Sequence, residues 1–161
     1  MKIKLFITGG TIDAKYDFHN AKVTYGESHI KQMLNQGRNR ADVDLEQLML
    51  VDSGDITDEM RQQILERCQT CGTDKIVITH GTDTLTQTAE LLGHNIQDKT
   101  VVLVGAIIPF AFKNSDALFN LGAAVTAVQL LDKGVFVTMN GTVFSWDNVK
   151  KNFDLSEFQT K

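Results

Sequence analysis

The chain has 161 residues, 42% of them apolar and 22% charged, with 12 Gly, one Pro and two Cys. A domain of this length buries roughly 70% of the surface its unfolded chain exposes, so a core forms without staples, and the apolar content excludes a disordered protein. Sixteen Lys+Arg against 20 Asp+Glu leave a formal net charge of −4, which argues against a nucleic-acid or anionic-membrane partner, and no apolar run approaches the ~18 residues of a bilayer span.

The elements begin with a buried strand over residues 2–8, where Ile3, Leu5, Phe6 and Ile7 run up to Gly9-Gly10. Residues 11–27 are polar, bounded by glycines and without a period, and read as a long loop. A short helix is predicted over 28–35, with Ile30, Met33 and Leu34 on or beside one face, and a second strand over 45–51. Thr57 offers an N-cap with Asp58 and Glu59 in the first turn, and Met60, Ile64, Leu65 and Cys68 follow at helical spacing. A third strand over 75–79 ends in His80-Gly81, a helix covers 84–93, and a fourth strand covers 100–106. The longest helix is predicted over 114–132, striped by Ala117, Leu121, Ala124, Val128 and Leu131. A fifth strand over 135–139 and a short sixth over 142–144 close the series.

Near-continuous apolar strands alternating with amphipathic helices predict an α/β fold. The expected architecture is a doubly wound, mainly parallel sheet flanked by helices, a Rossmann- or flavodoxin-like three-layer domain over residues 1–161. In such sheets ligands bind beyond the carboxyl ends of the strands, where the strand order switches. The chemistry is therefore sought at those ends.

The other reactive residues have structural readings. Cys68 and Cys71 are spaced CxxC, but no second pair completes a zinc site and the pair falls where a helix is ending. His19, His29 and His94 do not group with Cys or carboxylates at ligand spacing, so no metal is expected. His80 reads as positioning its loop, and Trp146 as packing or interface. The N-terminal apolar stretch is too short for a signal-peptide core, which predicts a cytoplasmic protein.

Three strand ends are rich in short hydroxyls. The first reads Thr8-Gly9-Gly10-Thr11-Ile12-Asp13, where two glycines turn the backbone and present Thr11. Neither G-x-G-x-x-G nor G-x-x-x-x-G-K-[ST] is present, and a plain tight turn accounts for this end taken alone. The next, Val51-Asp52-Ser53-Gly54-Asp55, either binds the charged ends of a small ligand or forms an Asx turn ahead of the helix. The third, Thr79-His80-Gly81-Thr82-Asp83-Thr84, carries more groups than a helix cap uses. A hydroxyl needs an oriented base to become a nucleophile, and Thr82 and Asp83 with a lysine from elsewhere suit that work. The convergence points to acyl transfer through a hydroxyl, without metal or cofactor.

At these residues the chain resembles the bacterial-type L-asparaginase family. The matching motifs are TGGTID at 8–13, DSGD at 52–55, HGTDT at 80–84, VGAIIPFAFKNSDALFNLGAAV at 104–125 and GTVFSWDNVKKN at 141–152, so the likeness covers essentially the whole chain. The resemblance implies that Thr11 is the nucleophile of a first catalytic group, hydrogen-bonded by Tyr16 within a lid over 12–27. It implies that Thr82, Asp83 and Lys151 form a second group, with Lys150 as the alternative lysine, and leaves the division of labour between the threonines open. Asp83 would bind the substrate's α-amino group and Ser53 its α-carboxylate, with Gly10, Asp52 and Gly81 lining the site and the Ala106 carbonyl facing the departing nitrogen. The implied activity is hydrolysis of L-asparagine to L-aspartate and ammonia. Most family members carry a second C-terminal domain, so the resemblance matches the N-terminal catalytic domain, and a short single-domain form is expected here. A homodimer or homotetramer is expected, because the apolar helix after residue 114 would otherwise leave a large exposed face. Two other functions fit the same residues: a non-catalytic module that binds aspartate or asparagine, and an amidase on a different amide.

Overall fold

In the computed structural model, which describes all 161 residues, the chain runs through ten strands and four helices. They are β1 (Lys2–Gly9), β2 (Lys15–Asp17), β3 (Lys22–Thr24), α1 (Ile30–Gln36), β4 (Asp42–Val51), α2 (Asp58–Thr70) and β5 (Lys75–Thr79). Then follow α3 (Leu85–Asn95), β6 (Thr100–Val104), α4 (Ala117–Leu130), β7 (Gly134–Met139), β8 (Thr142–Ser145), β9 (Lys150–Asn152) and β10 (Glu157–Gln159).

Six strands form one sheet in the order β4-β1-β5-β6-β7-β8. All its pairs are parallel except β7 with β8. The sheet is buried on both faces because its strands alternate two apolar sets. Ile3, Leu5 and Val102 pack under α1 and α4 with Ile30, Met33, Leu121 and Val128. Phe6, Ile76 and Val101 pack under α2 and α3 with Ile64 and Leu92. This is the doubly wound α/β fold expected from the pattern. The chain winds outward in one direction through β4 and in the other through β5, β6 and β7, so the switch in strand order falls between β1 and β5. A crevice opens at the carboxyl ends of those two strands. Their next residues are the two threonine motifs.

Local chemistry sets the element ends. The Thr57 hydroxyl accepts from the Met60 amide at 3.3 Å and starts α2. At the end of the sheet opposite the motifs, Lys75 Nζ donates to Leu131 O at 2.8 Å, capping α4, and Lys99 Nζ donates to Cys71 O at 2.6 Å, capping α2.

Four expectations are corrected. Residues 11–27 contain a 3₁₀ turn at Thr11–Asp13 and the antiparallel hairpin of β2 and β3. The long helix begins at Ala117 rather than 114, because Asn114 sits at φ 63° and the segment before Ala117 turns onto the preceding loop. The fourth strand ends at Val104, leaving Ala106 in a loop. The hairpin of β9 and β10, which presents Lys151, has no counterpart among the predicted elements.

Candidate active site

The crevice is built from glycines in contact. Gly9 and Gly10 adopt φ of 96° and 80°, which L side chains rarely tolerate. A Cβ added to Gly10 would fall 2.2 Å from the Cα and N of Gly81, and one added to Gly81 would fall 2.5 Å from Ser53 Cβ. The chain after β1, the chain after β5 and the turn after β4 therefore meet at backbone distance. Thr11 and Thr82 each follow one of the two touching glycines, so both residues lie next to the backbone contact at the β1–β5 switch point. Gly105, after β6, wedges against the same place: its Cβ would meet His80 O at 2.6 Å and Thr82 Cγ2 at 3.0 Å.

Thr82 is 5% exposed. Its Oγ1 accepts from Lys151 Nζ at 2.8 Å, and the same Nζ lies 2.5 Å from Asp83 Oδ1. The lysine side chain is 9% exposed and its partner carboxylate 57%, so the ammonium is enclosed while the Asp83 carboxylate is open to solvent. Lys151 is held there by the register of β9 against β10, where it pairs with Phe158, and by the Phe153 ring 5.0 Å from Nζ. Lys150, the alternative, is exposed on the other side of the strand.

Ser53 ties two segments together. Its hydroxyl accepts from the Asp83 amide at 3.3 Å and its carbonyl accepts from Thr84 Oγ1 at 2.7 Å. The Asp52 turn takes the Asx form: Oδ1 accepts from Gly54 N at 2.9 Å, closing the turn, while Oδ2 accepts from Tyr25 OH at 2.8 Å. Burial, then the bond to Asp52, pushes the Tyr25 phenol well above its ordinary pKa.

The structure does not join Tyr16 to Thr11. Tyr16 is 40% exposed, packs edge-on against Phe18 at 5.1 Å, and its hydroxyl makes no hydrogen bond. Tyr25, directly after β3 at the base of the same hairpin, is the tyrosine that reaches the strand ends. Asp13 is another residue the sequence reading passed over. Its carboxylate accepts from Ser28 Oγ at 2.9 Å and His29 N at 2.7 Å, tying the base of the hairpin to the start of α1. Burial raises its pKa, against the pull of the His29 amide and the Ser28 hydroxyl.

His80 is fully buried, and burial lowers its pKa to about 4. The neutral ring donates from Nδ1 to Gly81 O at 2.8 Å, and Nε2 accepts from Thr88 Oγ1 at 2.8 Å. Both nitrogens are spent on holding the loop, as expected, and neither faces the crevice. Gly10 N donates to Val51 O at 2.8 Å, so this amide is not free to bind an oxyanion. The Thr82 amide has no partner in the protein. Trp146 lies flat on Gly93 of α3 and edge-on to His94 at 4.5 Å, a packing role. No three His, Cys, Asp and Glu side chains cluster as metal ligands.

The enclosed ammonium, the threonine hydroxyl it holds and the free amide make a site suited to acyl transfer. A groove of about 580 Å³ with a mixed polar and apolar lining lies elsewhere, between α1 and α4.

The family model described as asparaginase, N-terminal, matches residues 2–159. L-asparaginase 2 of Escherichia coli is 36% identical over 159 residues, covering 92% of this chain and 46% of that protein. The probable periplasmic L-asparaginase of Haemophilus influenzae is 33% identical over 159 residues, again covering 92% of this chain and 46% of the relative. The crystal structure of a probable cytoplasmic L-asparaginase from Campylobacter jejuni superposes with a TM-score of 0.81 at 34% identity, covering 99% of this chain and 52% of that one. The chain thus spans about half the length of these relatives.

Proposed function

The chain belongs to the asparaginase family, matching its N-terminal part, and on that premise we propose that it hydrolyses L-asparagine to L-aspartate and ammonia through a threonine nucleophile. The observation that carries the proposal is the contact of Lys151 Nζ with Thr82 Oγ1 at 2.8 Å and Asp83 Oδ1 at 2.5 Å, one residue from the glycine that touches Gly10. Thr11 Oγ attacks the amide carbon, its proton ends on the departing nitrogen, and ammonia leaves. Water, activated at the Thr82–Asp83–Lys151 group, then cleaves the Thr11 ester and releases aspartate. The unpartnered Thr82 amide is a donor to the tetrahedral oxyanion, a contribution of about 3 kcal/mol in comparable hydrolases.

The exposed Asp83 carboxylate suits the substrate's α-amino group, and Ser53 the α-carboxylate. Tyr25 takes the place given to Tyr16 in the sequence reading, because it alone bridges the hairpin to Asp52. The hairpin of β2 and β3 acts as a lid that excludes water and strengthens these contacts.

The outer face of α4 supports a homodimer or homotetramer. Phe119 is 63% exposed and Leu130 80% exposed, beside the groove lined by Leu118 and Val125. No helix is long and apolar enough to cross a membrane, and a cytoplasmic site of action agrees with two free cysteines.

The test is ammonia release from asparagine by the purified chain. Turnover is expected, with Thr11→Ala and Thr82→Val each lowering kcat by roughly a hundredfold or more. Asparagine binding without turnover would replace the enzyme by a non-catalytic binding module.

A further inference from the structure

We infer that Asp116 is a positioning residue for the departing amide nitrogen, acting through the carbonyl of Ala106; this rests on the asparaginase reading and assigns how that site favours an amide over an ester.

Ala106 is fully buried, yet its carbonyl receives no hydrogen bond from the protein. The peptide groups on either side are pinned. Asn120 Nδ2 donates to Gly105 O at 3.0 Å. Asp116 accepts from Ile107 N at 3.1 Å with both carboxylate oxygens and from Ile108 N at 2.9 Å. A trans peptide is planar, with its C=O and N–H antiparallel. Fixing the Ile107 N–H on Asp116 therefore turns the Ala106 carbonyl away from the start of α4, while Gly105 holds the loop against Thr82.

The carboxylate is itself held. Asn120 Nδ2 donates to Asp116 Oδ2 at 2.8 Å, Asn140 Nδ2 reaches the same oxygen at 3.3 Å, and Asn140 N donates to Asn120 Oδ1 at 3.0 Å. Asn120 is fully buried. The loop after β6 is thereby tied to the end of β7 rather than left to its own conformation. An oriented, unpaired carbonyl accepts from a carboxamide N–H but has nothing to accept from an alkoxy leaving group.

The experiment compares asparagine with aspartate β-methyl ester as substrates of the 161-residue chain, its Asp116→Ala variant and its Asp116→Asn variant. The Asp116→Ala change is expected to lower kcat/KM on asparagine about tenfold and on the ester less than about twofold, the loss of one oriented hydrogen bond. Asp116→Asn keeps an oxygen for the two amides and the shape of the site, so it is expected to show a smaller, about threefold loss on asparagine alone. It carries the test if the alanine variant does not fold. Equal losses on both substrates, or none on either, overturn the positioning role. Wild-type protein that hydrolyses neither substrate overturns the asparaginase reading, and this inference with it.

Discussion

Gly10 and Gly81 lie in backbone contact, so close that a methyl group on the first would sit 2.2 Å from the Cα of the second. The crevice exists because neither residue has a side chain, and the left-handed φ of 80° at Gly10 adds to the requirement. Gly10→Ala is expected to lower the unfolding free energy by about 3 kcal/mol, combining strained backbone with overpacking. Gly122→Ala is the control. It sits within α4 with open space around it, so removing backbone freedom should stabilise the fold by about 0.5–1 kcal/mol. Urea unfolding of the two variants measures both signs.

Tyr25 and Tyr16 separate by a single contact. Removing the hydroxyl that donates to Asp52 in Tyr25→Phe should lower kcat/KM on asparagine about tenfold, because the lid loses its tie to the strand ends. Tyr16→Phe removes a hydroxyl without a partner and should change kcat/KM by less than about twofold. Steady-state kinetics of the pair distinguish them; equal losses would place Tyr16 at the site after all.

Acid stability should carry the signature of His80. Its folded pKa of about 4 lies below the ordinary imidazole value of 6.5, so the unfolded chain binds the proton first. The neutral ring costs nothing above pH 6.5, and stability falls as pH drops from 6.5 towards 4, by up to about 3 kcal/mol. The carboxylates held below their ordinary values, Asp44 and Glu46 among them, lose their contribution only at lower pH. His80→Asn should flatten the limb between pH 6.5 and 4 in unfolding measured across pH. A slope unchanged by the substitution would assign it to other groups.

Stability and activity should separate at the two ends of the sheet. Lys75→Met removes the donor to Leu131 O at 2.8 Å and to Thr100 Oγ1 at 3.1 Å, at the opposite end of β5 from Thr82. The variant should lose about 1–3 kcal/mol of unfolding free energy while kcat on asparagine stays within about twofold. Thermal unfolding and ammonia release on the same preparation make the comparison.

The sheet was legible because its strands announce themselves chemically. Ile76, Val77 and Ile78 form an apolar run bounded on both sides, and residues 75–79 form β5 at the predicted bounds. Thr57 caps the helix it was expected to cap. The hairpin of β2 and β3 was not legible, since Lys15, Tyr16, Lys22 and Val23 are all exposed and leave no buried face to pattern. The hairpin carrying Lys151 consists of two three-residue strands, KKN and EFQ, too short for an alternation to register. The composition of the strand ends brought forward both threonine motifs and the family resemblance brought forward the lysine, but neither indicated which tyrosine of a folded-back lid would arrive at Asp52. Neither gave any sign of the Asp116–Asn120–Asn140 network, whose members are 24 residues apart at the extremes and meet only through the order of β6, α4 and β7.

The most direct measurement is a double-mutant cycle on kcat for ammonia release, using Thr11→Ala, Thr82→Val and the two combined. Two hydroxyls serving one reaction at one crevice predict strong non-additivity, the double variant being no slower than the slower single variant within about threefold. Losses that multiply, or a single substitution that leaves turnover unchanged, would contradict a shared catalytic site at the β1–β5 switch point.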